Sequence, residues 1–140
     1  MKKFWNFTRN EDGVPELLLY GSISENSWWG DNVSPKRFKE DLDNLGNVSE
    51  IVVRIYSGGG DVFAANAIYS MLKDHPAKIT VKIDGLAASA ATIVAMAGDE
   101  ILMARNAYFM IHLPSMSAYG NEDEVESALK ILKSVKENII

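Results

Sequence analysis

The chain has 140 residues, 47% of them hydrophobic and 24% charged, which suits one soluble globular core and little more. A net charge of −5 excludes the basic footprint of a nucleic-acid binder. The absence of cysteine excludes disulfides and thiolate chemistry, and with only two histidines no metal site is expected.

No stretch approaches the roughly 20 apolar residues of a membrane span. Met1–Thr8 lacks the apolar run of a signal peptide, so the expected location is cytoplasmic, with no membrane partner. Glu16–Tyr20 reads as a strand ended by Gly21, and Asn26–Asn32 as a loop carrying Trp28 and Trp29. Ser34-Pro35 resembles an N-cap with proline at the first helical position, opening a helix to about Leu45 that Gly46 stops.

Ile51–Tyr56 is β-branched and nearly all apolar, the pattern of a strand covered on both faces. Val62–Asp74 has helical spacing at Phe63, Ala67, Ile68, Met71 and Leu72, and Pro76 ends it. Ile79–Ile83 is the next strand, and Ser89–Ala97 a helix of small residues stopped by Gly98. Glu100–Met103 and Tyr108–Leu113 read as short strands. From Asn121 a helical stripe runs through Val125, Leu129, Leu132 and Val135. No cap, glycine or proline closes it before Ile140, so a single domain over 1–140, truncated within a helix, is expected. Strands alternating with helices predict an α/β fold with a mostly parallel sheet.

Three features carry chemistry. Ser57-Gly58-Gly59-Gly60-Asp61 follows an apolar strand and precedes a helix, where unpaired backbone amides stabilise phosphate or an oxyanion. Neither nucleotide fingerprint is met, and a plain tight turn is the competing reading. Ser89 lies at a strand-to-helix junction among alanines that would let a substrate approach, though taken alone it reads first as an N-cap. His112 closes the strand Tyr108–Ile111, as a base or as a hydrogen-bonded core histidine. His75, beside Lys73, Asp74 and Pro76, reads as a surface residue. Together the three features make most of an acyl-transfer site.

Ile55–Val62, Ala67–Tyr69, Gly85–Ser89 and Met110–Pro114 resemble the ClpP family of serine peptidases, over roughly residues 16 to 140. The resemblance implies a ClpP/crotonase-like spiral of ββα units ending in the start of a handle helix. It implies Ser89 as nucleophile, His112 as base, the amides of Gly60 and Ala90 as oxyanion hole, and no cofactor or metal. Gly58 stands where the family has proline, and Ala90 where it has methionine. The short interval from Ser89 to His112 resembles the compact phage and prophage head-maturation proteases. The family's catalytic aspartate is expected beyond Ile140, leaving this chain itself inactive. The implied partners are peptide or protein substrate, further copies in a ring or dimer, and an AAA+ unfoldase or phage capsid proteins. A crotonase-type acyl-CoA enzyme and a non-catalytic assembly subunit remain as alternatives.

Overall fold

The computed structural model describes residues 5–23, 35–111 and 119–139, which divide into two compact units, Met1–Met110 and Ile111–Ile140. The first holds β1 (Asn6–Arg9), β2 (Pro15–Tyr20), α1 (Pro35–Asp43), β3 (Glu50–Ser57), α2 (Val62–Asp74), β4 (Lys78–Ala88), α3 (Ala90–Ala95), β5 (Glu100–Met103) and β6 (Tyr108–Met110). The second holds α4 (Glu122–Ile139).

The six strands form one sheet in the order β1-β2-β3-β4-β5, with β6 on the same strand β4 further along. Only β1 is antiparallel, against β2; β2–β3, β3–β4, β4–β5 and β4–β6 are parallel. The predicted α/β class with a mostly parallel sheet is therefore the observed one. β1 carries no apolar alternation, because three of its four side chains are exposed, and so it has no legible strand signature.

The core lies on one face of the sheet. Leu17, Leu19, Ile51, Val53, Ile55, Ile79, Val81 and Ile83 alternate inward along β2, β3 and β4 and are buried. Phe38 and Leu42, one turn apart on α1, are fully buried, each worth about 1.5–3 kcal/mol. Trp5 meets the Phe38 ring edge-on at 5.3 Å and donates from Nε1 to Asp41 at 2.9 Å. Ala64, Ala65, Ala90, Ala91 and Ala95 are buried, and their small side chains let α2 and α3 pack closely.

Several expectations are corrected. β3 is covered on its second face only in part: Val52 is buried there, but Arg54 is half-buried and Tyr56 exposed. α2 turns Ala64, Ala65, Ile68 and Leu72 to the core and leaves Phe63 exposed, because its N-cap Asp61 fixes the rotation. β4 extends five residues past Ile83, to Ala88. α1 ends at Asp43, and α3 covers only Ala90–Ala95. β6 ends at Met110; Ser34, the loop 26–32 and residues 112–118 lie outside the described residues.

Candidate active site

Ser89 stands alone at the corner between β4 and α3. Its backbone has φ 57 and ψ −124, the sole positive φ outside glycine among the described residues. Such a conformation costs an L-residue about 1–3 kcal/mol and persists only when its surroundings impose it. They do so from both sides. The Ser89 N–H donates to the Met110 carbonyl at 2.9 Å, and its own carbonyl accepts from Thr92 N at 3.0 Å and Thr92 Oγ1 at 2.6 Å. The side chain makes no capping hydrogen bond, so the hydroxyl is not serving the helix, and the residue is partly exposed.

The glycine loop reaches this corner. A Cβ at Gly59 (φ 102) would lie 2.7 Å from the Ser89 Cβ and 3.0 Å from the Ala90 nitrogen. Gly59, which the sequence did not single out, is therefore the loop residue packed against Ser89, and only a residue without a side chain fits there. Gly60 (φ 148) pairs with Ile23 in a parallel bridge, where a side chain would collide with the Ile23 carbonyl. Ile23 N–H donates to the Gly59 carbonyl and Asp61 N–H to the Ile23 carbonyl, a register that turns the Gly60 N–H away from Ile23. Buried Ser57 accepts from the Gly59 N–H through Oγ at 3.1 Å, and Asp61 caps α2 by accepting from Phe63 N at 2.8 Å. Ala90 opens α3, so its N–H has no partner within the helix.

Of the predicted site, Ser89 and Ala90 stand together, with Gly60 one residue beyond their neighbour Gly59. His112 lies outside the described residues. Next to Ser89, β6 pairs with Leu86–Ala88 of β4, and the Met110 carbonyl meets the Ser89 N–H. His75 accepts from Ala77 N–H through Nδ1 at 3.1 Å and serves the turn after α2. Asp99 accepts from the Ile79 N–H at 2.8 Å, and Glu100 pairs with Lys78 at 3.1 Å. No cluster of three or more His, Cys, Asp or Glu able to hold a metal occurs among the described residues, and none of their helices is long and apolar enough to cross a membrane.

Sequence reasoning also missed a polar cluster on the open face of the sheet. Asp84 accepts from Arg54 Nε at 2.8 Å, Arg54 Nη2 at 2.9 Å and the Tyr20 hydroxyl at 2.6 Å. Arg54 Nη1 also reaches Glu16 at 3.5 Å. Partial burial works against the Asp84 carboxylate, but the Arg54 and Tyr20 hydrogen bonds outweigh it and hold the carboxyl below its ordinary range. Donating that hydrogen bond to Asp84, together with burial, pushes the Tyr20 hydroxyl up. Only the alternation of Arg54, Lys82 and Asp84 opposite the core face hinted at this cluster.

The fold and the corner at Ser89 define a class of protein, and comparisons with known proteins agree on it. A family model described as Clp protease matches residues 40–140. An ATP-dependent Clp protease proteolytic subunit 2 from Treponema denticola is 30% identical over 143 aligned residues, covering 99% of this chain and 65% of that protein. A Clp proteolytic subunit from Ligilactobacillus salivarius is 35% identical over 98 residues, covering 68% of this chain and 50% of its own length. The solved structure of the ClpP1 N165D mutant from Listeria monocytogenes superposes with a TM-score of 0.70 at 28% identity, covering 89% of this chain and 67% of that one. This chain belongs to the Clp protease family. It spans about half to two thirds of the length of these relatives.

Proposed function

We propose that this chain carries the nucleophile and oxyanion hole of a serine endopeptidase. Ser89 attacks the peptide carbonyl, His112 takes the hydroxyl proton and returns it to the leaving amine, and the N–H groups of Gly60 and Ala90 hold the oxyanion. The supporting observation is the Ser89 corner: a strained backbone, held from both sides, presents a hydroxyl that caps no helix beside a glycine with no room for a side chain. His112 follows two positions after Met110, whose carbonyl holds the Ser89 amide. A crotonase-type acyl-CoA enzyme would use paired amides but has no need of strain at Ser89.

Asp84, Asp99 and Glu100 are each committed to structural partners, which supports an acid for His112 from outside residues 1–140. The working form is a homo-oligomer assembled through α4 and acting on peptides or unfolded protein, in the cytoplasm.

The test is labelling of the full-length protein by a fluorophosphonate reagent. Modification at Ser89, abolished in Ser89→Ala together with peptide hydrolysis, is expected. Hydrolysis by folded Ser89→Ala at the parent rate overturns the assignment.

A further inference from the structure

β3 and β4 change register just before the Ser89 corner. Ile55 lies opposite Ile83, but the next pair along is Ser57 opposite Ala87. Tyr56 alone on β3 therefore faces Asp84, Gly85 and Leu86 on β4, a bulge with two extra residues. Without the bulge Ser57 would face Gly85, and Ser89 would lie about 6–7 Å further along the strand, past Gly59.

The hydrophobic pattern cannot enforce this shift. A slip of one residue would turn the core side chains outward, whereas a slip of two leaves Ile83 and Ala87 on the buried face. Something else must hold the longer path. Gly85 (φ 125) supplies the backbone turn, and a Cβ there would lie 3.1 Å from the Tyr56 ring. Asp84, the first bulged residue, is held by a two-pronged Arg54 from β3 and by Tyr20 from β2. Tyr20 also meets the Tyr56 ring edge-on at 6.1 Å.

We propose that Arg54 and Tyr20, by gripping Asp84 at the β4 bulge, set the strand register that brings Ser89 level with the glycine loop. They are positioning residues for the nucleophile, and this role rests on the serine-peptidase reading above. None of the three touches the reacting atoms. A three-strand clamp acts on them through the three residues of β4 that follow Gly85 and lead into Ser89.

The experiment compares Asp84→Ala, Asp84→Asn, Arg54→Lys and Tyr20→Phe in the full-length protein. It reads the rate of Ser89 labelling by a fluorophosphonate, and backbone hydrogen exchange in segments 57–61 and 86–91 against α1 and α2. Asp84→Ala is expected to slow labelling about 100-fold, the effect of an ångström-scale misplacement, and to speed exchange in those two segments while α1 and α2 keep parent protection. Tyr20→Phe removes a single hydrogen bond to a carboxylate and is expected to slow labelling about tenfold. Arg54→Lys keeps the charge but loses the fork and falls between them; Asp84→Asn keeps part of the grip and retains more rate than Asp84→Ala. If Asp84→Ala does not fold, Tyr20→Phe decides. Folded variants with parent labelling and parent exchange in both segments overturn the clamp, as does exchange that rises equally everywhere, which marks general destabilisation. A parent protein that resists labelling while the variants still show the localised exchange refutes the peptidase reading and leaves the register clamp standing.

Discussion

Gly59 and Ser89 stand so close that the glycine has no room for a single extra carbon: its Cβ would sit 2.7 Å from that of Ser89. The contact joins the loop after β3 to the corner after β4, so substitutions in the loop should divide sharply by position. Gly59→Ala combines a left-handed φ of 102 with this collision and is expected to lose at least 1–3 kcal/mol. Gly58 has no atom within 4 Å of its Cβ position and no left-handed φ, so Gly58→Ala is expected to gain about 0.4–1 kcal/mol by restricting the unfolded chain. Urea unfolding of both variants reads the difference, and equal destabilisation would show that the loop is not packed as described.

The strain at Ser89 should be measurable as a trade between stability and chemistry. Ser89→Gly relieves a φ of 57 that costs about 1–3 kcal/mol, against about 0.5–1 kcal/mol for the greater freedom of unfolded glycine. The variant is expected to unfold at higher temperature than Ser89→Ala, which keeps the strain, while both resist labelling. Calorimetry checks the order. A Ser89→Gly protein less stable than Ser89→Ala would mean that the backbone at residue 89 is relaxed.

The strand–helix order, the core strands and the Ser89 junction were legible because each rests on local pattern: β-branched runs at 51–56 and 79–83, a cluster of alanines, a triple glycine. What was not legible depends on register. Gly60 stood out from its neighbour by resemblance, but contact with Ser89 falls to Gly59, since the bulge at Asp84–Leu86 decides which loop residue meets the corner. The grip of Tyr20 and Arg54 on Asp84 joins residues 64 and 30 positions apart, which no periodicity reveals. Ile51–Tyr56 reads as a strand covered on both faces, yet Arg54 and Tyr56 mark where its second face opens.

The clamp also predicts how stability follows pH. Asp84 is held below its ordinary value of 3.8, so the unfolded chain binds its proton first as pH falls. The stabilisation is complete above about pH 4 and drains away as pH drops through the lower folded value. Tyr20 is shifted the opposite way, above 10.0, so its share is complete below that pH and fades as pH rises through the raised value. Because the Arg54–Asp84 pair is partly solvated, the acid-side loss is on the order of 1 kcal/mol. Asp84→Asn is expected to flatten that part of the acid limb in urea midpoints measured between about pH 2 and 5. An unchanged limb would show that Asp84 gains nothing from its partners.

The last prediction concerns α4, where Asn121 caps the helix by accepting from Glu124 N at 2.9 Å and Glu122, Asp123 and Glu124 suit the positive end of the helix dipole. This makes the helix firm enough to present a surface. Val125 and Leu129, one turn apart, are 43% and 48% exposed. Apolar side chains spaced to share one helix face and left to water favour a partner. With the α4-mediated oligomer proposed above, burying one Leu129 would stabilise each contact by about 1.5–3 kcal/mol, a factor of roughly 10–100 in association. Leu129→Glu, at an exposed helix position one turn before Lys133, should leave folding intact and weaken association by at least tenfold in sedimentation velocity. Parent-like assembly of Leu129→Glu would remove this face from the interface, and a parent that stays monomeric at high concentration would remove α4 altogether.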